Sequence, residues 1–155
     1  MKIKPFIFLI IIPFYLGCEA NKPTAESTEN TKPMQFDKRL EGKWVLEYMT
    51  PVNGKDVKQL YKIQKPFLNF VDDTKVAGNN GCNNIAGEYS LSGDIIRFET
   101  EKFISTRMFC EGVDEKAFTG ILKTVNRYDV IEDDNKLLLL TSDIISMQFV
   151  KADSI

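Results

Sequence analysis

The side chains able to do chemistry in this chain are few and unevenly placed. Three cysteines stand at Cys18, Cys82 and Cys110, and histidine is absent. Without imidazole there is no Ser-His-Asp or Cys-His nucleophile and no His-ligated metal. What remains is sulfur chemistry: acylation, disulfide formation, or soft-metal binding by thiolate together with the Met108 thioether. With 22 acidic residues, carboxylate pairs arise by chance, so a glycosidase working through two carboxylates gains no support from their number. Glu132-Asp133-Asp134 lacks the alternating ligand spacing of a calcium loop and reads as a solvated turn.

Cys18 follows a segment that explains it. Lys2 and Lys4 form a positive start, and Pro5 to Leu16 is an apolar run of 12 residues. Such a run spans about 18 Å as a helix, short of the ~30 Å hydrocarbon core, so it predicts a signal peptide rather than a membrane span. Tyr15-Leu16-Gly17-Cys18 looks like a lipobox, with cleavage before Cys18 and acylation of its thiol; Tyr15 replaces the usual Leu. At ~0.8 kcal/mol per buried methylene, two or three acyl chains give a lasting anchor. Residues 1–17 are thus the expected signal peptide and residues 18–38 the lipidated cysteine with a polar tether. Losing the leader moves the net charge from −2 to −4, because Lys2 and Lys4 leave with it. A mildly acidic chain with no basic stripe is a poor nucleic-acid binder.

With Cys18 assigned to lipid, Cys82 and Cys110 remain. In an exported domain they are most simply a disulfide. Two reduced buried thiols are the alternative, and a Cu(I) site built from Cys82, Met108 and Cys110 is a third.

The elements that must position these residues are mostly strands. Lys43 to Met49 places Trp44, Leu46 and Tyr48 on one face. Hairpins are predicted around Asp72-Asp73-Thr74, Ser92-Gly93, Asp133-Asp134-Asn135 and Ser142-Asp143. Val113 to Val125 carries Phe118, Ile121, Leu122 and Val125 at helical spacing, with Asp114 as N-cap and Glu115 at the positive end of the helix dipole. Asp56 to Ile63 fits either a helical turn or a strand. The expected fold is mainly β: a small antiparallel β-barrel or strongly curved sheet with one amphipathic α-helix over an open end or edge. It occupies residues 39–151, followed by a tail at 152–155.

Gly81-Cys82-Asn83, then Gly87 and Tyr89, then Thr106-Arg107-Met108-Phe109-Cys110 resemble the signature of the META domain, the HslJ-like family. Leu40-x-Gly42-x-Trp44 and Pro66-x-Leu68-x-Phe70 resemble its flanking strands. The resemblance implies a barrel-like fold often carried by envelope lipoproteins. It also implies a group linked to heat shock, antibiotic tolerance or virulence without an established reaction, and a likeness in shape to secretion pilotins. No catalytic residue comes with it.

The residues also carry a physical reading of their own. Gly81 suits a tight bend, and Asn83 suits Asx-type bonding across it. Tyr89 has a hydroxyl that needs a partner. In a strand, Thr106, Met108 and Cys110 would share one face, with Arg107 and Phe109 opposite. Arg107 is the candidate ligand contact, either clamping an anion or pairing with a surface carboxylate.

The function expected is therefore non-catalytic, with no cofactor: an envelope lipoprotein that binds a partner or supports envelope integrity under stress. A lipocalin-like carrier of an apolar molecule or lipid is the alternative. Its partners would be a membrane, through the lipid, and an envelope protein or apolar ligand. Its expected location is the outer membrane, facing the periplasm.

Overall fold

The computed structural model describes residues 36–152. The expectations for the leader, for Cys18 and for most of the tether fall outside that range. Within it, strands run as β1 (Gly42–Met49), β2 (Phe67–Phe70), β3 (Lys75–Asn79), β4 (Asn84–Ser92), β5 (Ile95–Phe98), β6 (Ile104–Ser105), β7 (Arg127–Ile131), β8 (Lys136–Thr141) and β9 (Ile144–Lys151). The helices are α1 (Val57–Leu60) and α2 (Glu115–Leu122). Eight strands close a ring in the order β3-β2-β1-β9-β8-β7-β5-β4, with β4 pairing back to β3. β6 lies outside the ring and pairs only with β4. The expected antiparallel barrel is therefore the fold.

Turn chemistry accounts for most of the pairings. Ser142 and Asp143 both take positive φ, 48° and 68°, between β8 and β9, the two-residue geometry that matches strand twist. Asp72 closes the β2–β3 turn by accepting from Thr74 and Lys75 backbone N–H groups at 2.9 and 2.7 Å. Those bonds hold the Asp72 carboxyl below the usual carboxylate range. The β4–β5 turn falls at Gly93-Asp94, one residue later than expected. β4 is also longer than its sequence pattern suggested, since Asn84 to Gly87 lacks strong apolar alternation and pairs because β3 lies beside it.

One expected face is corrected. Trp44 and Leu46 point into the core, but Tyr48 is 44% exposed and Met49 is buried in its place. The register of β1 against β9 shifts between Leu46 and Tyr48. A bulge adds one residue and inverts the side-chain alternation beyond it.

The interior is occupied by the protein's own side chains. Trp44, Phe70, Phe118, Phe149, Leu68, Ile96, Leu137 and Leu139 are each at most 1% exposed. Phe118 comes from α2 and meets Phe149 edge-on, with ring centroids 6.4 Å apart. The helix thus serves as a plug, entered through its Asp114 cap, whose carboxylate accepts from the Ala117 N–H at 3.2 Å. Within residues 56–63, open on sequence grounds, Val57–Leu60 form the short α1, fixed by a capping box between Asp56 and Gln59. The ring is thinnest between β5 and β7, where Ile95 and Arg127 are the one register pair. At the start of the domain Asp37 grips Arg39 at 2.7 Å and accepts from the Tyr128 hydroxyl at 3.0 Å. The Arg39 bond lowers the Asp37 pKa, and burial together with Asp37 pushes Tyr128 up to about 12.

Two glycines respond to alanine in opposite directions. A Cβ on Gly87 would overlap the Phe103 ring, whereas one on Gly120 in α2 meets nothing within 4 Å. Gly87→Ala is expected to destabilise by about 1–3 kcal/mol through overpacking. Gly120→Ala is expected to stabilise by about 0.5–1 kcal/mol through helix propensity. Urea unfolding midpoints of the two variants check both signs.

Candidate functional site

The motif residues converge on one knot between the β3–β4 bend and the segment that leads into α2. Its centre is Asn83, only 1% exposed. Its Oδ1 accepts from the Met108 N–H at 2.6 Å and from the Thr106 hydroxyl at 2.9 Å. Its Nδ2 donates to the Met108 carbonyl at 3.1 Å and to Glu115 Oε2 at 2.6 Å. All four hydrogen-bonding positions of the carboxamide are used. The amide faces Met108 as a strand residue would, offering one donor and one acceptor to the backbone N–H and C=O.

The bend itself is built from neighbouring asparagines. Asn79 Oδ1 accepts from the Gly81 N–H at 2.8 Å, and Asn80 Oδ1 accepts from the Cys82 and Asn83 N–H groups at 3.2 and 2.7 Å. These are the Asx-type turns. The local role expected of Asn83 therefore belongs to Asn79 and Asn80, while Asn83 reaches across 25 residues of sequence. Gly81 has φ +99°, and a Cβ there would overlap the Tyr61 ring. Tyr61 in turn donates its hydroxyl to the Asp114 carbonyl at 3.1 Å. Burial raises the Tyr61 pKa, so the phenol stays protonated and keeps that bond.

Cys82 and Cys110 form a disulfide, with Cα atoms 5.8 Å apart. Both thiolates needed for a copper site are thereby consumed, as are the two thiols of the reduced alternative. The bond closes a loop of about 29 residues and contributes about 3.5 kcal/mol in the chain-entropy picture.

The expected strand through residues 106–110 is corrected. The strand ends at Ser105; one further backbone bond, from the Thr106 N–H to the Asn84 carbonyl at 3.0 Å, follows it, and from Met108 on the partner is the Asn83 side chain. Thr106 and Cys110 still turn toward the bend, through the Asn83 bond and the disulfide. Met108 does so by its backbone, leaving its side chain 55% exposed, and Phe109 is 92% exposed. Arg107 has neither a hydrogen bond nor an ion pair among the described residues, so the expected surface pair is not formed. These three side chains border a cleft of about 490 Å³ whose other walls include Phe103, Thr106 and Glu115.

The remaining motif residues are placed in the barrel. Tyr89 is buried, packs edge-on against Phe70 at 5.0 Å and donates to the Asp72 carbonyl at 2.7 Å. Burial raises its pKa well above that of a free phenol. Gly87 leaves the slot into which Phe103 inserts. The sequence places Asn80 in the bend but does not mark Glu115 and Tyr61 as members of the knot. Glu115 looked like a dipole partner only, and no local pattern marks a helix residue as the acceptor for two distant amides.

Breaking the knot should be costly at each of its bonds. Asn83→Ala is expected to lose about 2–3 kcal/mol, since it strips the partners from Met108 and Glu115. Cys82→Ser and Cys110→Ser should each lose about 3.5 kcal/mol, and the double variant no more than either, because both remove one shared bond. Denaturant titrations of the four variants test this; additive losses from the two cysteines would contradict it.

Two structures solved by NMR share the fold. One, from Burkholderia xenovorans, is 21% identical, with a TM-score of 0.59 over 84% of this chain and 99% of its own. The other is 25% identical, with a TM-score of 0.52 over 75% of this chain and 93% of its own. Comparison with curated proteins gives no match. The META-domain profile matches residues 37–154, the span that contains the barrel, the bend and the knot. The chain belongs to the META-domain family.

Proposed function

We propose that this is a lipid-anchored envelope protein whose META domain is a non-catalytic binding module. The observation that carries the reading is where the apolar side chains sit. The barrel interior is filled by the core, while Met108 and Phe109 stand outside on a segment held by a covalent bond and by Asn83. Exposed apolar residues are unremarkable singly; adjacent ones on a preorganised segment lower the ordering cost of binding. Arg107 beside them, without a partner among the described residues, adds a residue type enriched at interfaces. The knot also uses its polar groups on one another, which favours a structural role for it over a reactive one. Support for the anchor comes from the leader and Gly17-Cys18. A part in envelope integrity under stress fits a rigid domain on a tether.

A carrier reading ranks second. It needs interior space, and Trp44, Phe70, Phe118 and Phe149 occupy the interior. A bound apolar mass recovered repeatedly by native mass spectrometry would favour it.

Cys18→Ser is expected to move the protein from the membrane fraction to the soluble fraction while leaving its circular dichroism and melting temperature unchanged. Retention in the membrane fraction would overturn the anchor.

A further inference from the structure

The chain between η-turn residues 100–102 and α2 is exposed over six consecutive residues, 104–109. Its backbone groups divide by position. The Thr106 N–H donates to the Asn84 carbonyl at 3.0 Å. The Met108 N–H and carbonyl are both held by the Asn83 carboxamide, at 2.6 and 3.1 Å. The alternate residues are treated differently. Arg107 and Phe109 make no backbone hydrogen bond among the described residues. Ser105 sits opposite Ile85 with its backbone groups turned away from β4, because such groups alternate along an antiparallel pair and the Thr106 N–H is the one that faces it. Ser105, Arg107 and Phe109 thus present N–H and C=O groups outward, while Thr106 and Met108 are fastened to the domain.

Two further features concern the peptide bond between Arg107 and Met108. The Arg107 side chain has no hydrogen bond or ion pair among the described residues. Glu115 lines the same cleft, but its carboxylate accepts from Asn80 and Asn83 and forms no ion pair with Arg107. The Cys82–Cys110 disulfide spans that bond in sequence. Cutting the bond would leave one piece ending at Arg107 and another starting at Met108, still covalently joined.

We propose, resting on the binding-module reading, that residues 105–109 are an inhibitory loop for a serine endopeptidase that cleaves after arginine, with Arg107 in the enzyme's primary pocket. Such an enzyme takes one side chain into that pocket and the carbonyl beside it into an oxyanion hole. A carboxylate at the foot of the pocket pairs with a guanidinium. Both groups of Arg107 are unengaged, as this requires. Extended recognition also uses alternate backbone groups, which Ser105, Arg107 and Phe109 supply.

What separates an inhibitor from a substrate is the fate of the leaving amine. The enzyme's serine attacks the Arg107 carbonyl carbon. A C–O bond forms, the C–N bond to Met108 breaks, and the serine proton passes through the enzyme's base to the Met108 nitrogen. In an ordinary substrate that amine departs and water takes its place. Here Asn83 and the disulfide keep Met108 beside the acyl group, so the amine attacks it again and the same atoms return in reverse. A loop already held in shape binds with little ordering cost.

The test uses the full chain with its disulfide, trypsin and chymotrypsin, and a small chromogenic substrate for each enzyme. A slight molar excess of the protein is expected to lower trypsin activity about tenfold or more, as tight protease–inhibitor pairs do, and chymotrypsin activity far less. Arg107→Lys should retain trypsin inhibition. Arg107→Leu should weaken it about a hundredfold or more and transfer inhibition to chymotrypsin, since the pocket sets the preferred side chain. Circular dichroism of both variants should match the parent, because the Arg107 side chain has no partner to lose among the described residues. Slow cleavage should give a fragment starting at Met108 on reducing gels and a single species without reductant. Inhibition that survives Arg107→Leu would overturn the proposal. Rapid cleavage after Arg107 without inhibition would overturn it too, and would also count against the held segment on which the binding-module reading stands. Full trypsin activity with the Arg107–Met108 bond intact overturns this proposal alone and leaves that reading in place.

Discussion

A single buried carboxamide holds the chain together where the sheet gives out. Asn83 supplies Met108 with the donor and the acceptor that a neighbouring strand would have supplied, and its remaining N–H donates a hydrogen bond to Glu115 at the start of α2. Burying an amide is costly unless every position is bonded, and here every position is. The arrangement joins three parts that are distant in sequence: the asparagine-rich bend, the segment after β6, and the helix whose Phe118 fills the barrel. The disulfide from the preceding residue, Cys82, joins two of these parts, the bend and the segment after β6, covalently.

That connection separates two roles on one short segment. Thr106, Cys110 and the Met108 backbone face inward and secure it, while Arg107, Phe109 and the Met108 side chain face solvent. The securing groups explain why the segment holds its shape past Thr106, whose N–H makes the last backbone bond to β4. The outward groups take no part in securing the segment among the described residues. The filled interior gives the same result from the opposite direction, since space for chemistry or cargo is on the surface rather than inside.

Legibility from sequence was uneven for physical reasons. The cap of α2, its face and the hairpin turns follow from interactions within a few residues, and they stand where the pattern put them except for the β4–β5 turn, which falls one residue later. Tyr48 was misplaced because a bulge costs one residue and leaves no mark in composition, yet it reverses every side chain after it. The strand through residues 106–110 was misread because alternation reports which way side chains point, not which group supplies the partner. Glu115 and Tyr61 were missed because their contacts span 32 and 53 residues.

The amino-acid sequence by itself determined the class of fold, the thiol pairing as the simplest use of the two cysteines within the domain, and the family signature on which the assignment rests. Each of these depends on residue type, count or short-range spacing. Only the tertiary structure decided that Asn83 acts at long range, that the ring closes through a thin β5–β7 seam, and that Ala77, Ala86 and Ile104 align across three strands. Those facts are set by register between segments far apart in the chain, and one residue of slip, invisible in any local window, changes which side chains meet.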